Sequence, residues 1–302
     1  MLHTVAKLHY ESDMSQVDIA RQLGVSTATI SRLLRQAREQ GIVRIEVRPF
    51  EAPEALAERL AAALGLRRAA VVETPAAGLS AALAEPVGGL IRETKLASGG
   101  VLAIGWGRAV RAVVQTGLPE IAGVRVVPAT GGMQQQAPHF QVNEFVRLAA
   151  QHLGGEPRFI HAPYLPSAES RDAFLADPTI RDNVALWERI DVAVVGVGMP
   201  HAPRTREETA ATASERRLTG AAGDVIRHYF DAAGAILDWE GEGRMIAVSV
   251  EQLRRTPRVI GVATGEAKAA AIVGAARAGL IDALVTDGAT AGVILDRLSR
   301  PG

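Results

Sequence analysis

Seven short β-rich runs punctuate most of this chain, and six of them end in a turn rich in Gly or Pro before helical texture resumes. The runs are Ala69–Val72, Val101–Ile104, Val124–Val127, Arg158–His161, Asp191–Val197, Arg258–Ala263 and Ala283–Thr286. Nearly continuous apolar runs, rather than alternating ones, mark strands buried on both faces. Strands that alternate with helices build a parallel sheet with helices on each side. The predicted fold is therefore α/β, a parallel sheet covered on both faces. In such sheets ligands sit beyond the carboxyl ends of the strands. Most of the Gly-rich turns fall at those ends.

Residues 1–50 have a different texture, with short helical periods. They hold seven Lys and Arg against five Asp and Glu, whereas the whole chain of 302 residues is balanced at 33 against 33. No global basic field draws this protein to nucleic acid, so any such contact needs a local patch. Pro49-Phe50-Glu51-Ala52-Pro53 then reads as a linker, because Pro restricts its own φ and that of the residue before it. An Ala/Leu/Glu/Arg-rich helix follows, from about Pro53 to Leu64. The expected organisation is a first domain over residues 1–50 and a second over 51–302. No Cys is present, which excludes disulfides, Cys-based metal sites and thiol nucleophiles. The seven His show no metal-ligand spacing, and no cofactor is called for. The apolar runs are too short to span a bilayer, and the first residues lack the pattern of a secretory signal. A cytoplasmic location is the expectation.

The segment Gln16 to Arg35 reads QVDIARQLGVSTATISRLLR. Ser15 and Ser26 are suited to cap two helices. Ile19, Ala20 and Leu23 share one face of the first helix, and Ile30, Leu33 and Leu34 one face of the second. Gly24 between them supplies a positive φ, and Val25 plugs the corner. This is the layout of a helix-turn-helix, whose second helix enters the DNA major groove. Thr27, Ala28, Thr29, Ser31, Arg32 and Arg35 then face outward. Short residues let the backbone approach, and Arg reaches guanine edges or phosphates. Gln16 is placed to meet a phosphate beside free helix N–H groups. The DNA-contacting set is thus Gln16, Ser26, Thr27, Thr29, Ser31, Arg32 and Arg35. Val43 to Val47 alternates and fits a wing strand after Gly41. A plain two-helix corner is the blander alternative, but it does not require all these offsets at once.

With these residues in view, the chain resembles the SorC/DeoR-type bacterial sugar-responsive transcription regulators. The N-terminal match is VAKLHYESDMSQVDIARQLGVSTATISRLLRQAREQGIVRIEV. IGWGRAV, GAAGDVIRHYFDAAG, RMIAVSVEQLR, VIGVATGEAKAAAI and GLIDALVTDGATAGVIL follow in the family's order. The resemblance implies a winged helix-turn-helix joined to a Rossmann-like domain related to sugar-phosphate isomerases. It also implies a phosphorylated sugar or related metabolite as effector, operator DNA as partner, and a homodimer or homotetramer.

Candidate effector residues follow. Gly105, Trp106, Gly107 and Arg108 lie between a strand and a helix, where backbone N–H groups and the helix dipole favour an anion. Where the family often has Thr after the second Gly, this chain has Arg108, which either alters the phosphate grip or takes it over. Trp106 either stacks on a sugar or anchors the core. Lys268 is one of three Lys in the chain. The resemblance puts it near the ligand phosphate, and a cation in a first helical turn calls for an anionic partner. The resemblance also gives Asp231 sugar hydroxyls, although an ordinary turn Asp fits as well. Thr130, Gly131 and Gly132 form a second candidate loop, and Arg244 a weaker one. Asp224 reads as the N-cap of a following helix. An isomerase needs a poised acid and base side by side. No such pair stands out, so a regulator is favoured over an isomerase-like enzyme carrying a DNA-binding appendage, and no catalytic residue is assigned. A constitutive DNA-binding oligomer whose second domain no longer takes a ligand is a further alternative.

Overall fold

The computed structural model describes residues 1–12, 14–43, 53–73, 82–133, 135, 137–199 and 211–299. The chain divides into two compact units, Met1–Glu51 and Ala52–Gly302. Apart from Val43 and Pro53, the expected wing and linker lie outside the described residues.

The first unit holds α1 (Leu2–Tyr10), α2 (Gln16–Leu23) and α3 (Thr27–Glu39). The Ser15 side chain accepts a hydrogen bond from Asp18 N, and the Ser26 side chain accepts one from Thr29 N. Each satisfies one of the donors a helix leaves open at its start. Gly24 adopts φ 68° at the end of α2, the left-handed value that the corner demands. Val5, Ile19, Ala20, Ile30 and Leu34 form the core of this unit, with Leu23, Val25 and Leu33 packed against it.

The second unit begins with α4 (Pro53–Leu64), β1 (Arg68–Val72), α5 (Ala84–Glu93), β2 (Val101–Ile104), α6 (Arg108–Thr116) and β3 (Arg125–Pro128). There follow α7 (Val142–Leu153), β4 (Glu156–Pro157), α8 (Ala168–Ala176), α9 (Pro178–Val184) and β5 (Val192–Gly196). A small meander comes next, β6 (Gly223–Val225), β7 (His228–Phe230) and β8 (Ile236–Leu237). The chain closes with α10 (Val250–Arg255), β9 (Arg258–Val262), α11 (Ala269–Arg277), β10 (Ala283–Asp287) and α12 (Gly288–Ser299).

Seven strands form one parallel sheet in the order β1-β10-β9-β5-β2-β3-β4. Both faces are covered, as continuous apolar strands require. Val101 and Ala103 of β2 feed one core cluster, while Leu102 and Ile104 feed the other. From β2 the chain builds outward through β3 to β4. It then returns to the other side of β2 with β5 and builds outward through β9 and β10. The order therefore reverses between β2 and β5, and that is where such sheets open a crevice at their carboxyl ends.

Two expectations are corrected. The run Arg158–His161 is not a strand: the ladder ends at the two-residue β4 before it. Its middle is held by a side chain instead, because Asn143 accepts from Ile160 N and donates to Ile160 O. Asp224 caps no helix. GAAGDVIRHYFDAAG is a β-hairpin, with Asp224 opposite Tyr229 on antiparallel strands. Its two-residue turn is Ile226-Arg227, at φ 51° and 66°. Gly, Asn or Asp is the usual choice for such a turn, which is why the sequence hides the hairpin.

Candidate functional site

The outward face of α3 carries what the sequence placed there. Thr27, Ser31, Arg32 and Arg35 are exposed, with Thr29 and Gln16 partly so. Ser26 is exposed too, but its hydroxyl is engaged by Thr29 N at 3.1 Å and Thr29 Oγ1 at 2.9 Å. Ile30 and Leu34 turn the opposite face into the core, so the cationic face is left to solvent.

In the second unit the place where such sheets open a crevice is the end of β2, β5 and β9. The turn Gly105-Trp106-Gly107 follows β2, and Gly107 takes φ 126° to start α6 without a side-chain cap. The start of α6 is thus an N-terminus with positive dipole character. Arg108 is its first residue and is exposed. Past β5, Gly198 pairs with Asp224 of β6, each N–H donating to the other's carbonyl at 2.8 and 3.3 Å. The approach is close: a Cβ on Gly198 would lie 2.0 Å from Asp224 Oδ1. After β9, Gly265 leads into a short turn, Glu266–Lys268, ahead of α11. Gly265 N donates to Asp287 Oδ2 at 3.0 Å and to Thr290 Oγ1 at 2.8 Å. Burial pushes the Asp287 carboxyl up, but hydrogen bonds from Thr290 and Gly265 hold it below the usual range.

Lys268 reaches back to the end of β5 and donates from Nζ to Val197 O at 2.7 Å. Burial depresses its proton affinity; Asp224 opposes that shift and Arg108 adds to it. The structure therefore gathers the Gly105–Arg108 turn, Asp224 and Lys268 at one place, the topological switch point. A cation half withdrawn from water, beside a carboxylate and a helix start, is suited to an anion flanked by hydroxyls.

Other candidates lie differently. Trp106 is buried, edge-to-face with Tyr164 at 5.4 Å and Phe140 at 6.2 Å, so it is a core anchor. Asp231 is not brought to Lys268. Its Oδ1 accepts from Ala233 N at 2.8 Å and Ala235 N at 2.9 Å, and its carbonyl lies against Gly274, midway along α11. Thr130 is fully buried and bonds Ile246 O at 3.4 Å. Gly131 N and Gly132 N donate to Ile246 O and Ala162 O, just as Gly105 N and Gly107 N donate to Val194 O and His139 O, so in both loops these Gly amides are used by the backbone and only the first opens a helix, α6, onto the site. Arg244 donates to Pro166 O.

The sequence reading missed a buried polar cluster beside the crevice. Glu215 Oε1 accepts from Tyr229 at 2.9 Å and Oε2 from Tyr164 at 3.4 Å, while Arg227 stands 3.7 Å from Oε1. Burial, with the charge of Glu215, pushes the Tyr164 phenol up to about 12. These residues are scattered through the chain, and nothing in the Glu215-Arg216-Arg217 run marks its acid as buried. Asp224 was visible in GAAGD, but the hairpin that aims it was not.

Comparisons with known proteins agree with this architecture. A sugar-binding-domain family model matches residues 48–296, and a winged helix-turn-helix DNA-binding model matches residues 8–44. The sorbitol operon regulator of Klebsiella pneumoniae is 31% identical, with 96% of each chain covered. The deoxyribonucleoside regulator of Bacillus subtilis is 30% identical over 97% of this chain and 96% of its own. The crystal structure of full-length SorC from Klebsiella pneumoniae superposes with a TM-score of 0.73 at 30% identity, covering 97% of both chains. A DeoR family regulator from Listeria monocytogenes gives 0.69 at 26% identity, over 81% of this chain and all of that one. These relatives are named as regulators, in line with the non-enzymatic reading. The chain therefore belongs to the SorC/DeoR family of transcriptional regulators, with a DNA-binding helix-turn-helix and a sugar-binding domain.

Proposed function

We propose that operator binding by this regulator is controlled by a phosphorylated sugar, or a related carbohydrate metabolite, held where β2, β5 and β9 end. The observation that carries this reading is Lys268: a partly withdrawn ammonium bound to Val197 O, next to the Gly198 against which Asp224 packs, at the switch point of the sheet. In this reading the phosphate meets Lys268, Arg108 and the N–H groups at the start of α6, and Asp224 takes sugar hydroxyls. Asp224 replaces Asp231 in that role, because it packs against Gly198, beside the Val197 carbonyl that Lys268 binds, whereas Asp231 lies against Gly274, midway along α11. The relatives' names, a sorbitol operon regulator and a deoxyribonucleoside regulator, support a carbohydrate-containing class.

Thermal shifts against a panel of sugar phosphates and their free sugars test it, since a ligand that binds only the native state raises its stability. The phosphorylated member of the best pair is expected to act alone. Lys268→Met is expected to weaken it by about ten- to a hundredfold, the worth of one charge-assisted contact. Ligand-free operator affinity is expected to stay near wild type. A free sugar as potent as its phosphate, or a wild-type response from Lys268→Met, overturns the assignment.

A further inference from the structure

The buried cluster beside the crevice closes on itself. Trp106 meets Tyr164 edge-to-face at 5.4 Å, Tyr164 donates to Glu215, and Glu215 accepts from Tyr229. Arg227 Nη1 donates to Tyr229 Oη at 3.2 Å, and the Arg227 guanidinium lies over the Trp106 ring, 5.7 Å from its centroid. Arg227 Nη2 also stands 4.0 Å from Met133 Sδ, one residue past the Thr130-Gly131-Gly132 loop. The Arg227 backbone N donates to Asp224 Oδ2 at 3.0 Å. One residue thus touches the loops that follow β2 and β3, the tyrosine of the β7 strand, and the carboxylate that packs against Gly198.

This arrangement is costly in two ways. A left-handed conformation is unusual for a residue with a long side chain, and more so beside Ile226, a β-branched residue in the same region. Ile226 offsets its own strain by burying its side chain in the core. Arg227 does not, because its head is an ion that has been taken out of water with Glu215. A buried ion pair of this kind is seldom more stabilising than a well-packed apolar pair. Stability alone does not account for a guanidinium aimed by a strained turn onto the face of Trp106. That tryptophan lies inside the turn that starts α6, where Gly107 N donates to His139 O.

We propose that Arg227 is the positioning residue of the effector turn: it fixes Trp106, and through it sets the Gly105–Gly107 backbone and the start of α6 for an anion. The proposal rests on the reading of that turn as the anion site. Arg227 itself touches no effector. The guanidinium is suited to the task, because its planar face stacks on an aromatic ring while its edge donates to Tyr229.

The test uses the full-length chain labelled with 5-fluorotryptophan, which gives three fluorine resonances, for Trp106, Trp187 and Trp239, assigned by single Trp→Phe changes. Inorganic phosphate is the probe. Arg227→Lys keeps the charge beside Glu215, so it is expected to fold. It lacks the planar face, so the Trp106 resonance is expected to move while that of Trp187 stays, and phosphate affinity to fall a few-fold. Arg227→Gly paired with Glu215→Gln removes both buried charges and suits the left-handed turn. Its phosphate affinity is expected to fall about tenfold or more, the scale seen when a residue that orients a binding group is lost. An unmoved Trp106 resonance in Arg227→Lys, or phosphate affinity within twofold of wild type in a folded double variant, overturns the proposal. If wild type itself does not take phosphate, the reading of the turn as an anion site fails. The Trp106 resonance then still shows whether Arg227 holds the turn.

Discussion

Lys268 illustrates how a single residue can carry a measurable pH signature. Burial places its proton affinity below the ordinary lysine range, despite the support of Asp224. Between the lowered and the ordinary value, the unfolded chain holds more protons than the native one. This residue therefore makes stability rise with pH across that window, a gain that is lost as pH falls through the lowered value. Anion binding has the opposite slope, because the ammonium that attracts the anion disappears as pH rises. Phosphate affinity titrated from neutral to alkaline pH is expected to fall in the wild type and to lose that limb in Lys268→Met. The same limb in both proteins would assign it to another group. Asp224→Asn keeps the size of the side chain but removes the charge that supports Lys268. It is expected to weaken sugar-phosphate binding more than inorganic phosphate binding, since hydroxyl contacts are lost only with the former. Equal weakening of both would place the hydroxyl contact elsewhere.

At the scale of the element, α3 separates stability from recognition. Ser26 satisfies the start of the helix, with Thr29 N as donor. Ser26→Ala is expected to cost about 1 kcal/mol of stability in the first unit, seen as a lower melting point. Arg32 and Arg35 are exposed on the opposite side from the Ile30–Leu34 core. Arg32→Ala and Arg35→Ala are therefore expected to leave melting unchanged. Each is expected to weaken operator binding, by about 1–3 kcal/mol where the Arg reads a base edge. Unchanged operator affinity in both would remove α3 from the groove.

The whole molecule adds a requirement that no element meets alone. The first 50 residues carry only seven cations against five acids, so a single reader is a weak binder. We propose a homodimer or homotetramer assembled through the second unit, which would raise the effective concentration of the second reader. The expected operator then has two half-sites spaced by whole helical turns, and binding falls steeply with salt as counterions are released. Light scattering at the concentrations that bind DNA checks this, and a monomer there would contradict it.

The sequence by itself determined the helix-turn-helix down to its caps, because those signals are local: Ser15, Gly24 and Ser26 each act within three or four residues. It also determined the parallel sheet, because strands buried on both faces must be apolar throughout, and it placed Lys268 and the Gly105–Arg108 turn at strand ends. Local chemistry misled where a distant partner satisfied the backbone. Past Arg158, which still donates to Val126 O, Asn143 takes the Ile160 amide and carbonyl in place of a strand partner, and Ile226-Arg227 turns a hairpin without Gly. Asp231 and Asp224 look alike in sequence, an acid next to small residues. Only the register of β6 against Gly198 decides that Asp224 comes to the end of β5, where Lys268 binds Val197 O, while the turn after β7 keeps Asp231 at a distance. The cluster of Tyr164, Glu215, Arg227 and Tyr229 belongs wholly to tertiary structure. Burial is what makes those charges and hydroxyls seek one another, and burial is decided by the packing of segments far apart in the chain.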